Sequence, residues 1–194
     1  MRTVTVSRTL NRYGYTWMVL YRRRYVTGGT FFFTLALADR GTDLLVRHIK
    51  MLGAAFREAH RVRPFRVDAI AVLPEHLHTV ITLPPGDAGY PTRWRSIKAS
   101  FSRSLAAAGV PLARNRRGEC GIWQRRYWEH AIRDHNDLAA HIDYIHFNPV
   151  KHGLAGSPLQ WPHSSFGRYV RAGVVPADWG GTAHSAPGGG GEPK

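Results

Sequence analysis

The alternation of apolar and polar positions predicts four β-strands. Residues 30–37 form a short aromatic and apolar run after two glycines, which is typical of a buried strand. Residues 65–73 and 76–83 predict a second and a third strand, and the short link between them, Pro74-Glu75, makes this pair an antiparallel hairpin. Residues 122–132 predict the fourth strand.

A helical spacing of apolar residues predicts three helices in the remaining segments. The first covers residues 43–60, and the second begins at Thr92 as its N-cap. The third covers residues 134–147 and ends there because Pro149 disfavours helical geometry at the preceding residue. Its apolar stripe consists of Leu138, Ile142 and Ile145.

The order of these elements predicts the fold class. Strand, helix, strand, strand, helix, strand is the split βαββαβ arrangement of a ferredoxin-like α+β sandwich with an antiparallel sheet, and the last helix is an addition to it. We expect one domain over residues 21–179. Residues 1–20 show no clear periodicity and are interpreted as a flexible N-terminal extension, and residues 180–194 are rich in glycine and proline and are expected to be a disordered tail.

The charge of the chain indicates the kind of partner. The 194 residues include 27 Lys and Arg against 13 Asp and Glu, a formal net charge of +14, which points to a polyanion. Nucleic acid is the first candidate. An anionic membrane surface is the second, but it requires a basic amphipathic helix or an apolar anchor, and neither dominates this sequence. The single cysteine, Cys120, excludes an internal disulfide framework and fits a reducing cytoplasm.

A pair of histidines stands at the start of the predicted third strand. Successive side chains of a strand point to opposite faces, so His76 and His78 project from one face while Leu77 points into the core. Two imidazoles side by side on a rigid element can bind one divalent metal ion. The alternative is a pair of partly exposed histidines beside a turn.

A second candidate group lies on the last predicted helix. At 100° per residue, Tyr144 falls roughly 120° from the centre of the apolar stripe, so the stripe does not need it for packing. Asn148 follows four residues later and therefore lies near Tyr144 on the same side. The helix end thus offers a phenol and an amide oxygen together, or else an exposed tyrosine and an asparagine that ends the helix.

Taken together, these residues resemble a known family. His76-Leu77-His78 matches the His-hydrophobic-His signature of HUH single-strand nucleases, and Tyr144 with Asn148 resembles their one-tyrosine version. The resemblance narrows to the REP-associated tyrosine transposases, relatives of the IS200/IS605 transposases, and spans residues 21–179. Six segments carry it in order: GGTFFFT at 28–34, LPEHLH at 73–78, IK at 97–98, WQRRYWEH at 123–130, DYIHFNPVKHGL at 143–154 and WPHSSF at 161–166.

The resemblance implies a chemistry and a site. Tyr144 is expected to attack a phosphodiester of single-stranded DNA near palindromic REP-type hairpins and to form a 5′-phosphotyrosine, so that strands can be cleaved and rejoined. His76, His78 and Asn148 are expected to bind Mg²⁺ or Mn²⁺. The expected location is the cytoplasm, in association with the nucleoid, and the chain is expected to act as a monomer or a homodimer.

Basic residues in several segments are candidates for DNA contacts, although a charge run is often only a solvated surface. The candidates are Arg22, Arg23, Arg24, Arg95, Lys98, Arg114, Arg116, Arg117, Arg125, Arg126 and Lys151. The other histidines near Tyr144 are interpreted as hydrogen-bonding or phosphate-contacting residues rather than metal ligands. They are His130, His141, His146 and His152.

Two other functions compete with strand transfer. The first is a protein of the same fold that binds hairpin DNA without cutting it. The other is a metal-dependent hydrolase that activates water on the two histidines, but this leaves Tyr144 unexplained and lacks a nearby carboxylate ligand. A covalent adduct between protein and DNA is expected for the transposase-like function alone.

Overall fold

The computed structural model describes residues 26–112 and 121–180. Its elements, in chain order, are β1 (Thr30–Ala36), α1 (Leu44–Arg47), α2 (Ile49–Val62), β2 (Arg66–Val72), β3 (His76–Thr82), α3 (Tyr90–Ala107), β4 (Trp128–Ala131), α4 (His135–Lys151), a 3₁₀ helix (Pro158–Gln160) and α5 (Phe166–Arg171). The N-terminal extension and all but the first residue of the predicted tail lie outside the described residues.

The four strands form one antiparallel sheet in the order β2-β3-β1-β4. This is the strand order of the split βαββαβ arrangement, so the predicted ferredoxin-like α+β fold is confirmed. In the centre of the sheet, Thr34 of β1 is paired with His78 of β3, and Phe32 of β1 lies between Val80 on one side and His130 of β4 on the other.

The alternation along β1 separates two cores. Phe31, Phe33 and Leu35 point to the face that α2 and α3 cover, and they belong to the larger apolar cluster. Phe32 points to the opposite face, where it packs with Tyr144 and Ile145 of α4 in a smaller cluster. The sheet therefore lies between two helical layers. In the part of the chain that the structure describes, α4 is the long helix on one side, and α2 and α3 lie on the other.

Two predicted boundaries of the helices before β4 are wrong. The helix expected over residues 43–60 is two helices, α1 and α2, which meet at His48. The second helix begins at Tyr90 after an N-cap at Gly89, earlier than the predicted N-cap Thr92. Proline suits the first turn of a helix, where its missing N–H has no partner to lose, so Pro91 lies inside the first turn of α3 rather than before the helix. Tyr90 is buried against Phe31, with ring centroids 4.9 Å apart.

The predicted end of the last helix is also wrong, because α4 continues through Pro149 to Lys151. Pro149 is buried, so its packing offsets the main-chain hydrogen bond that a proline cannot donate. The fourth strand is shorter than the predicted 122–132. Before Trp128 the chain forms an isolated bridge between Trp123 and Leu37, the residue after β1, rather than a continuous strand.

The segment after α4 covers the edge of the sheet at β2. Val72 donates its N–H to the carbonyl of His163, and Ser165 donates its N–H to the carbonyl of Ile70, both at 2.8 Å. An exposed strand edge is prone to pair with other chains, so this cover protects β2. Across the described residues, the helices are too short or too polar to span a membrane.

Candidate functional site

His76 and His78 lie next to each other on the sheet face that α4 covers. Their ring centroids are 4.8 Å apart, and Leu77 between them packs in the opposite core, as the alternation predicted. Both histidines are fully buried, at 0% exposure. The alternative of two partly exposed histidines beside a turn is therefore wrong for this fold.

Each of the two rings is oriented through its Nδ1. The Nδ1 of His78 lies 2.8 Å from the hydroxyl of Thr34, and the Nδ1 of His76 lies 2.9 Å from a carboxylate oxygen of Glu75. Arg40 holds that carboxylate at 3.0 Å. Metal-binding histidines are commonly oriented by such a partner at the other ring nitrogen. The remaining nitrogen of each ring, Nε2, is buried and has no hydrogen-bond partner in the described part of the chain.

Burial disfavours the charged form of both imidazoles. It lowers the pKa of His78 well below its usual range, and the neighbouring His76 lowers it further. Burial lowers the pKa of His76 as well, while the carboxylate of Glu75 opposes that change. A neutral imidazole keeps the lone pair that a metal ion needs.

Asn148 adds an amide to the same region. It lies on the buried face of α4 at 0% exposure, and neither its Oδ1 nor its Nδ2 has a hydrogen-bond partner among the described residues. Buried polar atoms without partners are rare, and each one is costly unless something satisfies it. Two imidazole nitrogens and an amide oxygen are a suitable ligand set for a divalent cation, so these residues fit a metal site.

Tyr144 lies against one of the two histidines, His78. Its ring centroid is 5.2 Å from that of His78, and the ammonium of Lys151 lies 5.3 Å from the same centroid. The sequence placed Tyr144 off the apolar stripe, and its alternative interpretation was an exposed tyrosine. That alternative is wrong, because the residue is only 2% exposed. The face of α4 that meets the sheet includes Asp137, His141, Tyr144, Ile145 and Asn148, whereas Leu138 and Ile142 are only partly buried.

Three residues that the sequence interpretation did not group as ligands form a second cluster near the start of α4. His130 of β4 places Nε2 2.8 Å from a carboxylate oxygen of Asp137, and His141 stacks on His130 with centroids 4.7 Å apart. The spacing of Asp137 and His141, four residues apart on one helix, is a signal visible in the sequence. The contribution of β4 is visible only in the fold.

The two other histidines near Tyr144 have different surroundings. His146 places Nε2 2.9 Å from the hydroxyl of Ser165, and burial lowers its pKa to about 4. It therefore has a hydrogen-bonding role in holding the segment that covers β2. The ring of His152 lies 5.2 Å from the ring of His76, at the edge of the proposed metal site.

The candidate DNA contacts are not gathered in one place. Arg95, Arg125, Arg126 and Lys151 are exposed, and Lys151 alone of these lies against Tyr144. Arg95 and Lys98 belong to α3, on the opposite side of the sheet from α4. Lys98 donates to the carbonyl of Gln124 at 2.8 Å, and burial lowers its pKa to about 8. Arg22, Arg23, Arg24, Arg114, Arg116 and Arg117 lie outside the described residues.

Comparisons with known proteins show which family the chain belongs to. No protein-family model matches it. The REP-associated tyrosine transposase of Escherichia coli strain K12 is 45% identical over 161 residues, which are 83% of this chain and 90% of that protein. A Haemophilus influenzae protein that provisionally carries the same name is 44% identical over 163 residues, 83% of this chain and 93% of its own length.

A solved structure supports the same assignment. It is described as a REP-associated tyrosine transposase bound to a REP hairpin, and it is 44% identical to this chain with a TM-score of 0.77. The match covers 87% of this chain and 94% of that one. Sequence identity and fold therefore agree over nearly the whole length of each relative, and the chain belongs to the family of REP-associated tyrosine transposases.

Proposed function

We propose that the protein is a metal-dependent transesterase of single-stranded DNA, which cleaves and rejoins strands near palindromic REP-type hairpins through a 5′-phosphotyrosine on Tyr144. One observation carries the proposal. His76, His78 and Asn148 are completely buried and hold polar atoms without hydrogen-bond partners in the described residues, and Tyr144 lies against His78. A purely structural core rarely contains three buried side chains with unsatisfied polar atoms.

The metal-binding role belongs to His76, His78 and Asn148. Thr34 and Glu75 fix the two rings through Nδ1, so that both Nε2 atoms are available to one ion. Mg²⁺ or Mn²⁺ is proposed, and when bound it would polarise a non-bridging phosphate oxygen and orient the scissile phosphate. Amide and imidazole ligands do not by themselves select between these ions.

The nucleophile is the phenol oxygen of Tyr144. A bond forms between that oxygen and the scissile phosphorus, and the bond from phosphorus to the 3′ oxygen of the preceding nucleotide breaks. The phenol loses its proton and the departing 3′ oxygen gains one, so no net proton is released. A phenol is a weak nucleophile while it is protonated. The ammonium of Lys151, 5.3 Å from the ring centroid, favours the developing phenolate.

The reaction is reversible for a chemical reason. The phosphotyrosine is itself a phosphodiester, so the energy of the broken DNA linkage is retained. A 3′ hydroxyl of the same or another strand can attack it, release Tyr144 and join two strands without a nucleotide cofactor. In this respect strand transfer differs from hydrolysis, in which water would cleave the phosphodiester and its energy would be lost.

The burial of Tyr144 makes DNA binding part of the mechanism. At 2% exposure the side chain is covered on almost all sides, so a phosphate reaches the phenol only after a neighbour moves. Lys151 lies over the ring, at the last residue of α4, and is exposed. We propose that Lys151 exchanges its contact with the ring for a contact with the incoming phosphate.

Hairpin DNA is proposed as the partner. The solved relative is described as bound to a REP hairpin, and the net charge of this chain is +14. Arg125 and Arg126 are exposed just before β4. The first residue of β4, Trp128, pairs with Thr34, whose partner on the other side is His78, so the two arginines are our candidates for contacts to the DNA backbone near the site.

End-labelled DNA tests the proposed polarity of the reaction. A hairpin oligonucleotide with a single-stranded flank is incubated with the protein and Mn²⁺ and is then resolved on a denaturing gel. A label at the 3′ end should move with the protein, because the 5′ phosphate of the downstream fragment is the part joined to Tyr144. A label at the 5′ end should leave as a free fragment. The reverse distribution would contradict the proposed linkage, and binding without any adduct would favour the non-catalytic hairpin-binding function.

A further inference from the structure

A second group of potential ligands lies at the other end of α4 from the histidine pair. It consists of His130 on β4 with Asp137 and His141 on α4, and one ligand atom from each lies within 4.8 Å of the other two. The Nε2 of His130 is 2.8 Å from Oδ2 of Asp137, and the Nδ1 of His141 is 3.2 Å from Oδ1. Asp137 and His141 are buried and His130 is half-buried.

Two buried atoms of the cluster take part in no hydrogen bond within the described ranges. The Nδ1 of His141 pairs with the main-chain carbonyl of Asp137 at 2.7 Å, so Nε2 carries the lone pair of a neutral ring. That Nε2 is buried and has no hydrogen-bond partner within the described ranges. The Oδ1 of Asp137 is also buried and accepts no hydrogen bond there, although the Nδ1 of His141 lies 3.2 Å from it. A histidine whose other nitrogen is held by a main-chain carbonyl has the arrangement of a metal ligand.

This cluster is separate from the site that holds His76 and His78. His141 and Asn148 are seven residues apart on one helix, which corresponds to roughly 10 Å along the helix axis at 1.5 Å per residue. Tyr144 lies between them. A single ion therefore does not serve both groups.

We propose that His130, Asp137 and His141 form a second metal site, for a Zn²⁺-like transition ion, that joins β4 to the first turns of α4. Two imidazoles and one carboxylate, with water completing a tetrahedron, are a ligand set that Zn²⁺ accepts. The site links an edge strand to the helix that carries Tyr144. It does not depend on the proposed transesterase chemistry.

Arg133 limits the affinity of this site. Its main-chain N–H and its Nε donate to Oδ2 of Asp137 at 2.9 and 3.0 Å. The side chain is 63% exposed, so the guanidinium can turn into solvent when an ion enters. Until the guanidinium turns away, its positive charge repels a metal ion at the site. A substitution of Arg133 therefore tests the site without removing a ligand.

Binding of Co²⁺ tests the proposal. The measurement uses the full chain with His76→Ala and His78→Ala, because these substitutions remove two ligands of the first proposed metal site. Co²⁺ reports its coordination through visible absorption bands. We expect this variant to bind a single equivalent with tetrahedral bands, and we expect added His141→Gln to abolish that binding. His135→Gln is the matched control, because His135 is an exposed imidazole in the first turn of the same helix. It should leave the binding unchanged.

Arg133→Met provides a second test that keeps all three ligands. It should raise the affinity for Co²⁺ about tenfold, because a competing positive charge has been removed. The proposal is overturned if the doubly substituted chain binds no Co²⁺, if His141→Gln and His135→Gln bind it equally, or if Arg133→Met has no effect. None of these measurements involves DNA cleavage, so their outcome does not depend on whether the proposed transesterase function is correct.

Discussion

The ring of His78 meets the ring of Tyr144 edge to face, with centroids 5.2 Å apart and planes at 73°. The histidine comes from β3, an inner strand of the sheet, and the tyrosine from the helix added after the sheet is complete. Their contact joins the proposed metal site to the proposed nucleophile. It also explains why a polar side of α4 is buried, since the sheet offers that helix a face that carries His76, His78 and Thr34.

Removal of either imidazole of the His76–His78 pair should abolish DNA cleavage but leave DNA binding largely intact. In His76→Ala or His78→Ala, cleavage of a labelled hairpin oligonucleotide should be lost because a metal ligand is missing. Most of the hairpin affinity should remain, because contacts between positive charge and phosphate dominate it. Cleavage and filter binding measured on the same preparation check both parts. Normal cleavage by either variant would remove the metal site from the mechanism.

Glu75 should act on the metal through His76. Glu75→Gln removes the negative charge that holds the Nδ1 of His76, and it weakens the pairing with Arg40. Loss of such an orienting partner typically lowers metal affinity about 10- to 100-fold. The Mn²⁺ concentration for half-maximal cleavage should rise accordingly, while the rate at saturating Mn²⁺ changes little. Glu58→Gln, at an exposed ion pair on α2, is the matched control. Equal metal requirements in the two variants would show that Glu75 has no positioning role.

The sequence was sufficient to predict the four strands and the shared face of His76 and His78, although not the length of β4, because strand alternation is a local property that long-range packing preserves. It failed for the orientation of α4. The stripe of Leu138, Ile142 and Ile145 suggested one buried side, but the sheet face that α4 covers is partly polar, and Tyr144 and Asn148 turned towards it. The cluster of His130 with Asp137 and His141 depends on a contact between β4 and α4, which no local spacing encodes.

Arg125 and Arg126 should contribute to DNA binding as phosphate contacts. Each phosphate contact contributes roughly 0.7–0.9 to the slope of log affinity against log salt concentration. Replacing both residues with glutamine should therefore lower the slope by about 1.4–1.8 if both touch phosphate. Arg57 and Arg61, exposed on α2 across the sheet from α4, provide a control with the same loss of charge. If both double variants change the slope equally, the effect is one of net charge rather than of contact.

Lys98 should make stability depend on pH in the alkaline range. Burial lowers its pKa to about 8 in the folded protein, whereas an unfolded lysine titrates near 10.5. Between these values the unfolded chain binds more protons than the folded one, so the free energy of unfolding should rise as pH increases from about 8 to about 10.5. Lys98→Met should reduce that rise in denaturant titrations across this range. An identical pH dependence in the variant would show that Lys98 is not buried as the structure describes.

The central claim is that Tyr144 is the nucleophile, and Tyr144→Phe tests it most directly. The change removes only the hydroxyl, so the aromatic contacts with His78 and Phe32 should survive and the hairpin should still bind. Tyr169→Phe is the matched control, because it removes the hydroxyl that donates to the carbonyl of Asp68 on the outer side of β2. With 3′-labelled hairpin DNA and Mn²⁺, the unchanged protein and Tyr169→Phe should form the covalent adduct, and Tyr144→Phe should form none. An adduct in Tyr144→Phe would contradict the account, because another residue would then be the nucleophile.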